Sequence, residues 1–257
     1  MHSPRKAGAR DAPRHGVARV LSKRGVCSRS EAAKWIAEGR VRVDGRVVRD
    51  PEFPVIDGAA RIAVDGRELD AILPRRVYLA LNKPRGLVTT ARDERGRDTV
   101  YRCFDGARLN GGEEIGWIAP VGRLDKASEG LLLFSNDPQW AARITDPLSG
   151  PDKAYHVQVD VVPDAVLLAR LVDGVEADGE RLSAKSAVLL RAGAKNAWLE
   201  IVLDEGRNRQ IRRLLAALDI RVLRLVRVAI GALELDELSK GQWRELSAAE
   251  VAALGAI

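Results

Sequence analysis

The sequence contains few cysteines and no long hydrophobic segment. Its two cysteines, Cys27 and Cys103, lie far apart among the 257 residues and have no C-x-x-C partner. A cysteine-based metal site is therefore unsupported. We expect two inert thiols rather than a disulfide, because reducing compartments disfavour disulfides. No apolar run approaches the roughly 18 to 20 residues that a membrane span needs.

Signals for export and for cofactors are missing as well. The first sixteen residues, MHSPRKAGARDAPRHG, carry four basic side chains and no hydrophobic centre. This composition argues against a secretory signal and predicts a flexible basic arm. We expect a cytoplasmic protein without a membrane partner. The sequence also lacks a P-loop, a G-x-G-x-x-G motif and clustered Cys and His ligands.

Basic residues are concentrated at the N-terminal end. Residues 1–49 contain 13 Lys and Arg against 4 Asp and Glu, a net charge of +9, whereas residues 50–257 contain 29 against 32, a net charge of −3. Clustered cations bind a polyanion by releasing its condensed counterions. The asymmetry therefore makes nucleic acid the leading candidate partner.

The basic end also has the pattern of a small folded unit. The run VARVLSKRG predicts a short helix that ends at Gly25. Ser28 stands three residues before Glu31, which is the spacing of a capping box and predicts a second helix. The segment VRVDGRVV alternates around Asp44 and Gly45, a dipeptide typical of a tight hairpin.

This helix-helix-hairpin pattern resembles a known RNA-binding domain. The run from Arg19 to Val47, with its SR..A...I..G.V.V.G pattern, is similar to the small domain first described in ribosomal protein S-four. The resemblance implies that five basic side chains form a surface for RNA phosphates: Arg24, Arg29, Lys34, Arg40 and Arg42. Any one of them could equally belong to a solvated face, but the cluster favours RNA.

Turn signals and three prolines between residues 51 and 76 separate this unit from the rest of the chain. We predict a flexible basic arm at 1–16, an RNA-binding domain at 17–69, a linker at 70–76 and a second domain at 77–257. Short strands and helices alternate in the second domain. This pattern predicts an α+β fold with a mixed, mostly antiparallel sheet flanked by helices.

One acidic residue of the second domain raises a question about function. In GRLDKASEGLLLFSND, Gly122 and Gly130 bracket Asp125, and LLLFS reads as a strand buried on both faces. The pattern places Asp125 in a loop that enters this strand. Because Asp is common in turns, where its side chain bonds nearby amides, local spacing alone leaves a structural role open.

Two later segments add candidate site residues. In KAYHVQVDV, Tyr155 shares a strand face with Val157 and Val159, a position that also suits an ordinary core tyrosine. In EGRNRQIRRLLAALD, arginines recur near the start of a predicted helix. Positive charges there oppose the helix dipole unless a carboxylate or phosphate answers them, and a solvated basic face stays equally open.

Together these segments resemble the pseudouridine synthases of the RsuA/RluB/RluE/RluF type, which act on ribosomal RNA. The family motifs are matched as follows: the catalytic G-R-L-D…G-L-L by Gly122, Arg123, Leu124, Asp125, Ser128, Gly130 and Leu131; K-x-Y by Lys153 and Tyr155; the late E-G-x-x-x-Q-I-R-R by Glu205, Gly206, Gln210, Ile211, Arg212 and Arg213; and L-N-K-P by Leu81 to Pro84. Glu129 stands where many members have a small hydroxyl residue, a variation that we take as tolerated.

The resemblance implies a reaction and a set of roles. The second domain would be a catalytic domain that breaks the glycosidic bond of a uridine and rejoins the base through carbon five, with no cofactor and no metal. Asp125 would be the catalytic carboxylate, Tyr155 the aromatic partner of the flipped base, and Arg212 the counter-charge of Asp125. Further RNA contacts would come from Arg123, Lys153 and Arg209.

Two other functions stay open on the sequence alone. The chain could be a non-catalytic RNA-binding factor of ribosome assembly, or an N-glycosidase that releases a base from RNA. In the preferred interpretation it is a monomer that acts on ribosomal RNA or pre-ribosomal particles. Its late motif resembles large-subunit members of the family more than small-subunit ones.

Overall fold

The computed structural model describes residues 13–69, 75–91 and 93–255. These residues form two compact units. The first comprises the described residues up to Arg76 together with Gly116–Ile118, and the second comprises Val77–Ile115 together with the described residues from Ala119 onwards. Most of the predicted linker, and residues 1–12 of the predicted arm, lie outside the described residues.

Two helices and six short strands make up the described part of the first unit. They are β1 (Arg14–Gly16), α1 (Val17–Lys23), α2 (Arg29–Ala37), β2 (Val41–Val43), β3 (Arg46–Val47), β4 (Pro54–Ile56), β5 (Ile62–Val64) and β6 (Arg67–Glu68). Strands β3, β2, β5 and β6 form an antiparallel sheet in that order, and β1 pairs with β4. The predicted helix-helix-hairpin order is confirmed.

Local signals explain these elements. The Ser28 hydroxyl accepts a hydrogen bond from the Glu31 amide at 3.0 Å, as a capping residue does at the start of a helix. Asp44 and Gly45 both have positive φ, of 48° and 81°, which a two-residue hairpin turn requires. The buried faces of α1, α2 and the sheet then share one core of aliphatic side chains.

The structure differs from the sequence prediction at the end of the basic arm. Arg14–Gly16 form strand β1, which pairs with β4 from Pro54 to Ile56. The Val17 amide continues this contact by donating to the Phe53 carbonyl at 2.9 Å. Main-chain groups make these contacts, so the polar side chains of the segment carry no hydrophobic pattern that would have predicted the strand.

The second unit is larger. Its elements are β7 (Tyr78–Lys83), a 3-10 helix (Val100–Phe104), β8 (Ala119–Val121), β9 (Glu129–Ser135), α3 (Pro138–Thr145), β10 (Lys153–Val159), α4 (Ala165–Asp173), β11 (Val175–Ala177), β12 (Glu180–Leu182), β13 (Ser186–Ala192), β14 (Ala197–Leu203), α5 (Gln210–Ala216), β15 (Val222–Ile230), β16 (Leu233–Glu234), β17 (Trp243–Glu245) and α6 (Ala248–Gly255). No helix in the described ranges is long and apolar enough to cross a membrane.

A mixed sheet forms the centre of this unit. Its strand order is β13-β14-β10-β15-β9-β7-β17, with β16 on β15 and β8 on β9. The pair β9–β15 is parallel and the other described pairs are antiparallel. The predicted α+β fold with a mostly antiparallel sheet is therefore confirmed. Leu131, Leu132, Leu133 and Phe134 are fully buried, as their continuous apolar run predicts.

Two apolar clusters cover the sheet. One combines β10 and β14 with α4 and α5. The other combines β8 and β9 with α3 and α6, where the Trp140 indole donates to the Val251 carbonyl at 3.1 Å. The helices thus hold the strands that frame the Asp125 loop, because β8 and β9 lie on either side of it.

The parallel seam between β9 and β15 is short and tight. It consists of the pairs Val226 with Glu129 and Arg227 with Gly130. Gly130 has φ of 101°, and a Cβ atom added there would lie 2.2 Å from the Arg227 carbonyl oxygen. The two strands can therefore meet at this point only if the residue is glycine.

Gly130→Ala should destabilise the second unit far more than Gly86→Ala does. Gly86 has almost the same φ, 102°, but no atom within 4 Å of an added Cβ. Backbone strain alone should cost about 1 kcal/mol in both variants, and the clash should raise the Gly130→Ala loss to about 3 kcal/mol or more. Urea unfolding of the two variants measures the difference. Equal losses of stability in the two variants would contradict the close approach of β9 and β15.

Candidate active site

Asp125 lies in the loop between β8 and β9, where the sequence places it. The Ser128 amide donates to the Asp125 carbonyl at 3.0 Å, which closes a turn around the side chain. The Thr89 hydroxyl donates to the Leu124 carbonyl at 2.7 Å and accepts from the Leu124 amide at 3.3 Å. The main chain is thus held on both sides of Asp125, and its side chain keeps 34% of its surface exposed.

A buried lysine holds the same loop through hydrogen bonds to main-chain carbonyls. Lys83, the last residue of β7, is fully buried. Its ammonium donates to the carbonyls of Pro84 at 3.1 Å, Asp125 at 3.2 Å and Ser128 at 2.9 Å. Burial lowers the pKa of Lys83 to about 8, although the nearby Asp125 carboxylate acts in the opposite direction. Sequence reasoning noted Lys83 only as part of a motif. The signal that could have identified its role is its position as a lysine at the end of a strand of buried residues.

The predicted site residues of the second unit meet around one cavity. It has a volume of about 600 Å³ and is lined by all six of them: Arg123, Asp125, Lys153, Tyr155, Arg209 and Arg212. Tyr155 lines the cavity and also packs against the core cluster of β10 and β14. Asp125 therefore shares a pocket with an aromatic ring and several cations.

The counter-charge of Asp125 differs from the predicted one. The Asp125 carboxylate lies 3.7 Å from the guanidinium of Arg209, whereas the Arg212 Nη2 donates to the Ala127 carbonyl at 3.3 Å. Burial, followed by the charge of Arg209, lowers the pKa of Arg212, and the Asp125 charge raises it. Arg212 thus interacts with Asp125 through its charge and through its hydrogen bond to the main chain of the Asp125 loop.

The physical reason lies at the start of α5. Arg209 is the residue before the helix and has φ of 50°, in the left-handed region. Neither helical periodicity nor the family motif predicts that conformation, so the resemblance indicated Arg212 as the partner of Asp125 and gave Arg209 only as an RNA contact. Arg213 forms ion pairs with Asp178 at 2.7 Å and Glu180 at 2.6 Å, but it lies in the last turn of α5, where the dipole argument for an anionic partner does not apply.

Glu129, interpreted from the sequence as tolerated variation, has a structural role. Its side chain is 4% exposed and forms ion pairs with Arg224 at 2.8 Å and Lys240 at 2.7 Å. The hydrogen bonds from Arg224 hold the pKa of Glu129 at about 2, against the effect of burial. This carboxylate therefore joins β9 to β15 next to the Asp125 loop.

The basic side chains of the first unit divide into two groups. Arg24 is 5% exposed, and its Nε donates to Asp57 at 3.0 Å, so little of it is left for contact with RNA. This corrects its assignment to an RNA-facing surface. Sequence spacing could not reveal the Asp57 partner, which lies 33 residues away. The other four are on or near the surface: Arg29, Lys34, Arg40 and Arg42.

The cysteines and acidic side chains give no metal site in the part of the chain that the structure describes. No cluster of three or more His, Cys, Asp or Glu side chains there is arranged to hold a metal ion. Both cysteines are free, and burial raises the pKa of the Cys27 thiol to about 11. Chemistry without a cofactor stays a prediction.

Glu129→Gln should lower stability at neutral pH and change its pH dependence. Because the folded pKa of Glu129 lies near 2 and the ordinary value is 4.5, its contribution is fully present above pH 4.5 and is lost as the pH falls toward 2. We expect the free energy of unfolding to fall by about 2 kcal/mol at pH 7. The loss is limited to this size because the partly exposed Arg224 and Lys240 can regain water. Urea unfolding at several pH values measures this.

The matched control for Glu129→Gln is Glu114→Gln. Glu114 is 81% exposed and pairs with Arg108 at 3.1 Å, so its removal should change stability by less than about 0.5 kcal/mol. The difference between wild type and Glu129→Gln should shrink between pH 4.5 and pH 2. A constant difference across that range would contradict the ion-pair account.

Known proteins resemble this chain in both units. Residues 77–217 match the family model described as RNA pseudouridylate synthase, and residues 17–59 match the S4 domain. An uncharacterised RNA pseudouridine synthase of Aquifex aeolicus is 36% identical over 239 residues, which cover 93% of this chain and 92% of that protein. The Bacillus subtilis protein named ribosomal large subunit pseudouridine synthase B is 34% identical over 241 residues, 93% of this chain and 95% of its own.

A solved structure agrees with these matches. The crystal structure of a pseudouridylate synthase superposes with a TM-score of 0.63 at 29% identity, over 95% of this chain and 100% of that one. The resemblance stated from the motifs is therefore confirmed. The chain belongs to the RNA pseudouridylate synthase family and is a pseudouridine synthase with an N-terminal S4 domain.

Proposed function

We propose that this enzyme converts one uridine of large-subunit ribosomal RNA to pseudouridine, with Asp125 as the catalytic carboxylate. The observation that carries the proposal is the cavity in which Asp125, Tyr155 and several cations meet. The choice of RNA is supported by the Bacillus subtilis relative, whose name specifies the large ribosomal subunit. The cytoplasmic location, the monomeric state and action on pre-ribosomal particles stay predictions from the sequence.

Asp125 has the surroundings that such a carboxylate needs. It is partly exposed at the cavity, so substrate can reach it, and the guanidinium of Arg209 lies 3.7 Å away. An ionised carboxylate can attack the uridine as a nucleophile or accept a proton from it. Lys83 and Thr89 hold the main chain on which this side chain stands.

Tyr155 offers an aromatic surface in the same cavity. A base that reacts at its glycosidic bond has to leave its stack, and an aromatic side chain can replace part of the lost stacking. In this proposal the ring of Tyr155 holds the flipped uracil while Asp125 reacts. Arg123, Lys153 and Arg209 also line the cavity and would contact the RNA around the target.

The first unit would supply affinity for the RNA. Arg29 and Arg40 form ion pairs with Glu52 at 2.8 Å and Asp65 at 2.6 Å, all four side chains being at least 37% exposed. Exposed pairs contribute only about 0 to 1 kcal/mol, so phosphates can replace these carboxylates at little cost. Lys34 and Arg42 add to this charge, and counterion release from the RNA then favours binding.

Asp125→Asn should abolish pseudouridine formation while RNA affinity changes by no more than a few fold. The substitution removes the anionic oxygen but keeps the size of the side chain, so a loss of about a thousandfold or more is expected. Carbodiimide labelling of ribosomal RNA fragments measures the product. Asp219→Asn is the matched control, because Asp219 is exposed, has φ of 59° and lies outside the cavity lining.

The same assay separates the competing functions. Free uracil in the reaction would indicate an N-glycosidase. Tight binding by wild type without any change in the RNA would indicate an assembly factor. Pseudouridine formation by Asp125→Asn at the wild-type rate would refute the role of Asp125.

A further inference from the structure

Arg227 is a buried cation without a counter-ion. It lies on β15, is 6% exposed, and its Nε donates to the Leu131 carbonyl at 2.7 Å. Its Nη2 is buried and has no hydrogen-bond partner. Among the described residues, no carboxylate forms an ion pair with Arg227. Because an uncompensated buried charge is strongly unfavourable, its presence indicates a function that needs the charge.

Arg227 has a second cation as its neighbour. On the adjacent antiparallel strand Tyr155 lies opposite Arg227, and Lys153 stands two residues before Tyr155 on the same face. Lys153 is half-buried, and in the described part of the chain its ammonium has neither a hydrogen-bond nor an ion-pair partner. Burial, followed by the charge of Arg227, lowers the pKa of Lys153, while Asp152 and Asp204 act in the opposite direction.

Both cations face the space where the reaction is proposed. Arg227 and Lys153 line the same cavity as Asp125 and Tyr155. The Leu131 carbonyl fixes the guanidinium of Arg227, and Gly130 lets β9 approach close enough to do so. The Arg227 guanidinium is therefore held in place beside the cavity before any substrate binds. Fixed donors of this kind stabilise charge that develops during a reaction.

We propose that Arg227 and Lys153 form a cationic subsite that binds the carbonyl oxygens of the flipped uracil and stabilises negative charge on them during isomerisation. The subsite rests on the proposed function. It adds a role for Arg227, which lies outside the four sequence motifs, and it replaces a general RNA contact of Lys153 with a contact to the reacting base.

The chemistry of the base supplies the required charge. When the bond between C1′ and N1 breaks, its electron pair stays on the ring and spreads over N1, O2 and O4. If Asp125 adds to the ring before that bond breaks, negative charge again reaches a carbonyl oxygen. The bond between C5 and C1′ then forms, any bond from Asp125 to the ring breaks and restores the carboxylate, the proton leaves C5, and N1 gains a proton. Arg227 would donate hydrogen bonds without transferring a proton, and no atom is gained or lost overall.

The same anionic chemistry could come from an RNA phosphate next to the target. A phosphate carries its charge before and after the reaction, so binding it would lower the dissociation constant of the RNA. The uracil oxygens carry charge only during the reaction, so binding them would raise the rate at saturating RNA. Rate and affinity measured separately therefore distinguish the two sources.

The test compares single-turnover isomerisation rates and RNA dissociation constants of four variants with those of wild type. We expect Arg227→Met to reduce the saturating rate by about 100-fold to 1000-fold, as loss of a fixed donor does, with the dissociation constant within about threefold. Lys153→Met should reduce the rate by about tenfold, and Arg227→Lys should recover part of the Arg227→Met loss. Arg221→Met is the control, because Arg221 is 80% exposed and pairs with Asp160 instead of lining the cavity.

A substrate with a better leaving base tests the same idea by another route. Fluorine at C5 withdraws electrons and stabilises the anionic ring. Arg227→Met should therefore reduce the rate of glycosidic bond cleavage by a smaller factor for a 5-fluorouridine target than for uridine. A neutral methylphosphonate beside the target tests the phosphate source. If Arg227 bound that phosphate, the methylphosphonate would weaken RNA binding by wild type but not by Arg227→Met.

With an active wild-type enzyme, three outcomes would overturn the subsite alone. Unchanged rates in both Arg227→Met and Lys153→Met would show that these cations are structural. Weaker binding with an intact saturating rate would assign them to a phosphate. Equal slowing of uridine and 5-fluorouridine would exclude stabilisation of the base.

Thermal melting identifies a misfolded Arg227→Met, in which case Lys153→Met decides. A wild-type chain that forms no pseudouridine would refute the proposed function itself, and the subsite with it.

Discussion

The three hydrogen bonds from the buried Lys83 ammonium are the interaction on which the site depends. They reach the main chain of the Asp125 loop at Asp125 and Ser128, and they tie it to the end of β7 through Pro84. A cation in the interior loses hydration, and this burial lowers the pKa of Lys83 to about 8. The carbonyls replace that lost water, so the loop and the lysine stabilise each other. Asp125 is thereby held at the cavity by main-chain contacts that leave its own carboxylate available.

The charges around this loop fall into two classes. Glu129 is buried but has two cations within ion-pair distance, and it connects the strands of the sheet. Arg227 is buried beside the same seam, and no carboxylate of the described chain pairs with it. A paired buried charge suits a structural role, whereas an uncompensated one suits a site whose substrate brings negative charge. Glu129 therefore stabilises the sheet, whereas Arg227 suits the chemistry that we propose.

Much of this architecture could be predicted from the sequence, because it depends on local signals. The capping box at Ser28 and the buried run of residues 131–134 each determine their element through neighbours in the chain. The motifs also identified residues that share one cavity. Contacts between distant residues could not be predicted in this way. The ion pair of Arg24 with Asp57 joins residues 33 positions apart. The family motif that indicated Arg212 carries no information on the left-handed conformation of Arg209.

Hydrogen exchange of the Ser128 amide tests the anchoring role of Lys83 most directly. This amide closes the turn onto the Asp125 carbonyl at 3.0 Å, and Lys83 donates to the same carbonyl. In Lys83→Met, which keeps the length of the chain but removes the ammonium, we expect Ser128 to exchange at least about tenfold faster. The amides of residues 131–134 should keep their protection to within about threefold and so report an intact sheet. Unchanged exchange at Ser128 in a folded Lys83→Met chain would contradict the account.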